Sequence, residues 1–217
     1  ARVLAGHFAQ VTLIERDVLS EAPAARKGVP QGQHVHALLK RGSIQRSLER
    51  ADAVVTVSEH SRQRIMADFG HRDVTTIYNG VDETRFRPLD EPQRTFRDTW
   101  DRGRFKLFFV GNRMKRKGAD LLTPIMRELG DDFVLYYTAG FRGGDHADIA
   151  SNMHATGRLS DDEMVAAYNE CDALLFPSRM EGFGYPVAEA MACEKPVVCT
   201  NSSSMPELID EQGGRLD

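Results

Sequence analysis

Short apolar runs alternate with amphipathic segments through the second half of the chain, and this alternation limits the possible folds most strongly. The apolar runs cover residues 105–110, 133–138, 173–176 and 196–199. Runs without polar alternation are typical of parallel strands that are buried on both faces. Between them, apolar residues recur every three or four positions, as at Leu122 and Met126, which indicates helices. The pattern predicts an α/β fold with a doubly wound parallel sheet.

Changes in composition divide the chain into three parts. Residues 104–217 carry the regular alternation and are predicted to form a doubly wound α/β domain. Residues 43–103 have the character of the end of another α/β domain, and their last stretch, 90–103, is charged and lacks periodicity, as is typical of a linker. Residues 1–42 contain one strand-like run and a loop rich in Ala, Pro and Gly.

Charge and cysteine content argue against several classes of protein. A net charge of -4 and a pI near 6.0 lack the basic excess that is typical of nucleic-acid binders. No apolar run approaches the roughly 18 to 20 residues that a membrane-spanning helix needs. The three cysteines have no CxxC spacing, which argues against a zinc site or a disulfide framework. We expect a cytoplasmic protein, with peripheral membrane association left open.

The loop at residues 111–118 has the composition of an anion-binding site. Gly111 and Gly118 enclose four cationic side chains, which are Arg113, Lys115, Arg116 and Lys117. Glycines let backbone N–H groups approach an anion, and a following helix start adds partial positive charge. The alternative is a solvated basic turn, which is the more common outcome for an isolated cluster of cations.

A second loop, residues 177–186, leads into a short helix and carries two glutamates. Gly182 and Gly184 leave backbone N–H groups accessible near the helix start. Glu181 and Glu189 have seven residues between them, so they could accept hydrogen bonds from hydroxyls at two ends of one long ligand. The alternative is a glutamate that the helix dipole favours, together with an ordinary exposed helix residue.

Several common motifs are absent from the sequence. There is no GxGxxG, no GxxxxGK[ST] and no GxSxG, and no two aspartates are spaced as D-x-D. Without the D-x-D pair, a diphosphate site would have no dedicated metal ligands. Arginine and lysine would then have to neutralise the leaving group, so we predict a metal-independent site.

These segments together resemble the group 1 retaining glycosyltransferases of the GT-B fold, over about residues 43–217. The segments that carry the resemblance are 51–61 with 77–82, 110–118, 157–163 and 176–198. The resemblance implies transfer of a sugar from a nucleotide-sugar donor to a glycan, lipid or small-molecule acceptor, with retention of anomeric configuration. It implies that residues 43–103 are the end of the acceptor-side domain with a linker, and that residues 104–217 are the donor-nucleotide-binding domain. It implies neither a metal nor another cofactor.

The resemblance also implies roles for individual residues. Glu181 matches a glutamate that contacts the donor sugar, and Glu189 matches the one that holds the nucleotide ribose. Lys117, with Arg116, matches cations that stabilise the departing diphosphate. The other implied donor-binding residues are Gly111, Asn112, Arg113, Arg158, Leu159, Gly182, Phe183 and Gly184. Asn112 stands where many family members have arginine.

Residues 1–42 instead resemble a fragment of an FAD-dependent monooxygenase, with Glu15 as its ribose-binding acid. The glycine-rich fingerprint that should precede Glu15 is missing, so FAD is not expected as a cofactor. This interpretation places a junction near Gly42, followed by a truncated glycosyltransferase. Two alternatives remain open, namely a non-catalytic nucleotide-binding remnant and a fragment of an FAD-dependent oxidoreductase.

Overall fold

The chain forms two compact units. The structure is a computed structural model that describes residues 11–13, 31–71, 73–90, 96, 99–112, 114–138, 149–209 and 215–216. The first unit consists of Ala1–Asn79 with Glu181–Phe183, and the second consists of Gly80–Met180 with Gly184–Asp217.

The described part of the first unit is a small α/β layer. Its elements are β1 (Val11–Leu13), α1 (Gln31–Arg50), β2 (Ala53–Thr56), α2 (Glu59–Phe69) and β3 (Val74–Thr76). The strands are parallel and lie in the order β1-β2-β3. Ser58 begins α2, because its hydroxyl accepts a hydrogen bond from the Ser61 N–H at 3.2 Å. The apolar contacts of this layer centre on Leu48, Val54, Ile65 and Val74.

The structure shows continuity across the position where the sequence suggests a junction. Helix α1 has 20 residues and runs through Gly42 without a break. Strand β1 pairs with β2, in the register Val11 to Ala53. Residues on both sides of Gly42 therefore belong to one helix and one sheet. Glu15 lies outside the described residues.

The described part of the second unit contains six parallel strands, as the sequence predicts. Its strands are β4 (Phe105–Phe109), β5 (Phe133–Thr138), β6 (Met153–Gly157), β7 (Ala173–Phe176), β8 (Val197–Thr200) and β9 (Arg215–Leu216). Its helices are α3 (Ala119–Leu129), α4 (Asp161–Glu170), α5 (Tyr185–Ala192) and α6 (Met205–Leu208). The sheet order is β6-β5-β4-β7-β8-β9, which is doubly wound.

This strand order places the first strand of the unit at the centre of the sheet. From β4 the chain proceeds to β5 and β6 on one side, and β7 then returns to pair with the other side of β4. The loops that follow β4 and β7 thus leave the same edge of the sheet side by side. Ligands of open α/β sheets bind at this kind of switch point.

Two apolar layers hold the second unit together, one on each face of the sheet. One centres on Phe108, Tyr168 and Phe176, and the other on Phe109, Leu122 and Met126. Part of the stretch 90–103, which the sequence suggests is a linker, belongs to the first layer. Trp100 is 5% exposed and stacks on Tyr136, with ring centres 4.0 Å apart.

Candidate donor-binding site

The loop after β4 fixes one ammonium group at the carboxyl edge of the sheet. Residues Lys115–Lys117 form a single 3-10 turn. The Lys117 side chain is 7% exposed, and its Nζ lies 5.4 Å from the centre of the Phe176 ring. A cation above an aromatic face is attracted by the ring quadrupole. Since Phe176 is the last residue of β7, Lys117 lies at the switch point between β4 and β7.

Gly118 ends this turn at a position that accepts no other residue. Its φ is +72°, and a Cβ placed there would lie 1.9 Å from the carbonyl oxygen of Pro177. A side chain would therefore collide with backbone as well as strain φ. The absence of a Cβ lets the loop after β4 lie directly against the loop after β7.

Hydrogen bonds join the same two loops. The Ser178 hydroxyl donates to the Arg116 carbonyl at 3.1 Å, and Nη1 of Arg116 donates to the Met180 carbonyl at 3.1 Å. The structure therefore brings Arg116 and Lys117 together beside residues 177–180, as the interpretation of the sequence requires. One side of the Arg116 guanidinium is used for the loop contact.

The start of the first loop is held by local contacts. The Gly111 N–H donates to the Thr138 hydroxyl at 3.1 Å, which ties the loop to the end of β5. The Asn112 side chain is exposed, and its Oδ1 accepts a hydrogen bond from the Met114 N–H at 3.2 Å. Asn112 thus closes a local turn. Arg113 lies outside the described residues.

Glu181, Gly182 and Phe183 are buried, and they belong to the first compact unit although they follow Met180 in the chain. Glu181 is 2% exposed and Phe183 is 7% exposed. Glutamate side chains are rarely buried to this degree unless they are paired. The burial of Glu181 therefore argues against the alternative in which it is only a helix-start residue facing solvent.

Helix α5 begins at Gly184, whose φ is +107°. No side chain caps this end among the described residues, and Pro186 occupies the first turn. A Cβ at Gly184 would lie 3.1 Å from atoms of Leu208 and Met205, so glycine is favoured by packing as well as by φ.

Glu189 is held by a buried tyrosine of helix α4, Tyr168. The Tyr168 hydroxyl donates to Oε2 of Glu189 at 2.7 Å, and Tyr168 is fully buried. Burial raises the pKa of Glu189, and the Tyr168 hydrogen bond partly opposes this effect. One carboxylate oxygen is thereby oriented by the protein. A buried tyrosine hydroxyl needs a polar partner, which is the signal in the sequence that could have identified Tyr168.

Arg158 and Leu159 lie at the end of β6, next to the start of α4. Arg158 is exposed, whereas Leu159 packs against the apolar layer that contains Phe108. Helix α4 starts with a capping box, in which Ser160 Oγ accepts from the Glu163 N–H at 3.3 Å and the Ser160 N–H donates to the Glu163 carboxylate at 2.8 Å. Glu163 therefore has a structural role.

A cavity of about 530 Å³ lies elsewhere in the second unit, among Trp100, Tyr136 and His154. None of the predicted site residues lines it.

Within the described ranges, no group of three or more His, Cys, Asp or Glu side chains could hold a metal ion. No helix in the part of the chain that the structure describes is both long and apolar enough to cross a membrane.

Comparison with protein families identifies both units of the chain. The family model of glycosyl transferases group 1 matches residues 90–216. The chain belongs to the group 1 glycosyltransferases. A second model, Glycosyltransferase Family 4, matches residues 10–85. The resemblance of residues 1–42 to flavin-dependent monooxygenases is therefore not supported, in agreement with the continuous helix α1.

Individual relatives of this group 1 glycosyltransferase are distant. An uncharacterized glycosyltransferase of Methanocaldococcus jannaschii is 27% identical over 76% of this chain and 45% of its own length. A GDP-mannose-dependent alpha-(1-6)-phosphatidylinositol monomannoside mannosyltransferase of Mycobacterium tuberculosis is 28% identical over 78% and 49%. The chain thus spans about half the length of the curated relatives it matches.

The fold is confirmed by a solved structure. Anabaena Alr3699/HepE in complex with UDP-glucose superposes with a TM-score of 0.77, at 18% identity, over 95% of this chain and 57% of that one. The GT-B type fold predicted from the sequence is therefore present.

Proposed function

We propose that the chain binds the donor of a sugar-transfer reaction, a nucleotide-sugar, without a metal ion. The observation that carries this proposal is the junction of two loops at the switch point of the sheet, where Lys117 is fixed beside Phe176. A buried, positioned cation suits a diphosphate that gains negative charge as it leaves. The names of two similar proteins, one GDP-mannose-dependent and one bound to UDP-glucose, support the substrate class.

In the proposed reaction, the bond between the anomeric carbon and the β-phosphate oxygen breaks, and a bond from an acceptor hydroxyl forms. The acceptor hydroxyl gives up its proton to the departing nucleoside diphosphate. Lys117 and Arg116 neutralise the charge on the departing phosphates, with Gly111, Asn112, Arg113 and Gly184 lining the diphosphate. Following the family, we propose that the sugar keeps its anomeric configuration.

The two glutamates have separate tasks in this proposal. Glu189, oriented by Tyr168, accepts hydrogen bonds from the ribose hydroxyls through its other oxygen. Glu181 accepts hydrogen bonds from hydroxyls of the donor sugar, beside Gly182 and Phe183. Arg158 and Leu159 flank the base.

Calorimetry with UDP-glucose and GDP-mannose tests the proposal. Glu181→Gln and Glu189→Gln should each weaken binding by about 1.5 to 3 kcal/mol, because each removes a charge-assisted hydrogen bond. Glu163→Gln is the matched control, since it changes only the capping box of α4. Equal affinities in all three variants would refute the assignment of the two glutamates.

A parallel titration in excess EDTA tests metal independence. We expect unchanged affinity, because lysine and arginine supply the positive charge. Loss of the calorimetric signal on chelation would overturn this part of the proposal.

Retention is tested by the anomeric configuration of the product, read from proton NMR couplings, and an inverted product would contradict it.

A further inference from the structure

Arg179 connects the two loops of the candidate site through both its side chain and its backbone. Its guanidinium binds the Asp120 carboxylate with both nitrogens, from Nη1 to Oδ1 at 2.6 Å and from Nη2 to Oδ2 at 2.9 Å. Nη1 also donates to the carbonyl of Lys115. Its backbone N–H donates to the carbonyl of Arg116 at 2.8 Å. Arg179 thus contacts the turn that carries Lys117 and the first turn of α3.

We propose that Arg179 and Asp120 are positioning residues for the diphosphate, and that they act by holding the turn Lys115–Lys117 in one place. This inference rests on the proposed function. Asp120 lies three residues after Lys117, and Arg179 lies three residues after Phe176, whose ring the Lys117 ammonium group approaches. Their pairing therefore ties the segment that carries Lys117 to the segment that carries Phe176.

The contacts of Arg179 distinguish it from the cations that meet phosphate. Asp120 and the Lys115 carbonyl already accept from its guanidinium, and the charge of Asp120 balances its own. The hydrogen bond from Arg179 lowers the pKa of Asp120, so the pair stays ionised at neutral pH. Arg179 therefore organises the loop, while Lys117 and Arg116 are the cations proposed to meet the phosphates.

The exposure of the pair argues for positioning over stability. The side chains of Arg179 and Asp120 are 44% and 40% exposed. Solvent weakens the attraction between exposed charges, so such a pair contributes little to the stability of a fold. Its bidentate geometry instead restricts orientation, which lysine could not reproduce. A loop that is already ordered needs no rearrangement when the diphosphate binds.

The experiment compares nucleoside diphosphates with monophosphates. Calorimetry with UDP, GDP and ADP, and with UMP, GMP and AMP, is done on the wild-type chain, Arg179→Ala, Arg179→Lys and Asp120→Asn. For the base that binds, Arg179→Ala and Asp120→Asn should weaken the diphosphate about fivefold. The monophosphate should change less than twofold, because the turn that is released meets the terminal phosphate. Arg179→Lys, which keeps the charge, should fall in between.

The control breaks a comparable ion pair at the other end of β4. Nζ of Lys106 lies 3.1 Å from Oδ2 of Asp172, and Lys106→Met removes this pair. We expect both ligands to bind this variant as they bind the wild type. A thermal melt of every variant verifies folding. If Arg179→Ala does not fold, Arg179→Lys is used in its place.

Two results would overturn the positioning role alone. One is an unchanged diphosphate affinity in the Arg179 and Asp120 variants, and the other is an equal loss for monophosphate and diphosphate. A wild-type chain that binds none of the nucleoside diphosphates would overturn the proposed function, and the positioning role with it.

Discussion

The two edges of the six-stranded sheet differ in how they use polar side chains. At the amino edge, the amide nitrogen of Asn152 lies 3.0, 2.8 and 3.2 Å from the carbonyl oxygens of Met126, Gly130 and Phe133. There too, Oδ2 of Asp172 accepts from the Lys106 N–H at 2.7 Å. These groups satisfy backbone atoms that the ends of helices and strands would otherwise leave without partners.

At the carboxyl edge, side chains also bind backbone groups, as Ser178 and Arg116 do, but the loops position cationic side chains as well. The turn Lys115–Lys117 is closed by the Lys117 N–H and the Gly118 N–H, which donate to the Met114 and Lys115 carbonyls. Lys117 then extends to the face of the Phe176 ring. The comparison indicates that Asn152 and Asp172, which precede strands of this sheet, are structural, whereas the loop after the central strand β4 positions a cation where a ligand is proposed to bind.

The largest effect that this comparison predicts is on stability, at the amino edge. Asn152→Asp keeps the size of the side chain but places a negative charge beside three carbonyl oxygens in a site that is 4% exposed. We expect a loss of about 3 kcal/mol in the free energy of unfolding at neutral pH, from repulsion and lost donors. Urea denaturation measures it.

The same variant separates the two edges. At pH below the pKa of the new carboxyl group, the protonated acid can donate one hydrogen bond, so part of the stability should return. Wherever the variant is folded, its affinity for a nucleoside diphosphate should match that of the wild type. A folded variant with impaired binding would show that the edges are coupled, against the comparison.

The second effect concerns ligand affinity at the carboxyl edge. Lys117→Met keeps an unbranched side chain over Phe176 but removes the charge. Binding of a nucleoside diphosphate should weaken by about 1.5 to 3 kcal/mol. Calorimetry with a nucleoside diphosphate measures the loss. Lys195→Met, a substitution outside the proposed site, is the control, and equal losses in both variants would indicate a general charge effect.

The sequence predicts the sheet well where strands are apolar runs. Strands β4, β5 and β7 coincide closely with predicted runs, because burial on both faces demands apolar residues at every position. Strand β6, with the sequence MHATG, is not predicted. It lies at one edge of the sheet, where exposed residues such as His154 and Ala155 are tolerated.

The candidate site is only partly predictable from the sequence. Glycines and cations near strand ends indicate the loops, since these residue types have specific uses there. Tyr168, Asp120 and Arg179 are not identified, because each acts through a partner that is 21 or 59 residues away in the chain. Such pairs depend on how strands are ordered, and a local pattern does not contain that information.

The third effect is the smallest, and it concerns Glu189, which is proposed to bind ligand and whose burial has a cost to the stability of the fold. Burial raises the pKa of Glu189 above its usual 4.5, so the folded state binds a proton more tightly than the unfolded state does. The charged form therefore destabilises the fold at neutral pH. Glu189→Gln removes that charge and keeps an oxygen for the Tyr168 hydroxyl, so its melting temperature should be higher by a few degrees at most.

The difference in stability between Glu189→Gln and the wild type should depend on pH. Below the usual pKa of glutamate, the wild-type side chain is protonated in both states, and the two proteins should be about equally stable. As the pH rises through the raised pKa of the folded state, the wild type loses stability relative to Glu189→Gln, and the gap then stays constant. Thermal melts between pH 4 and 8 measure the gap. A variant that is less stable than the wild type at pH 8 would mean that the charged carboxylate stabilises the fold. Glu189 would then resemble the structural residues of the amino edge, and the distinction between the two edges would fail at this position.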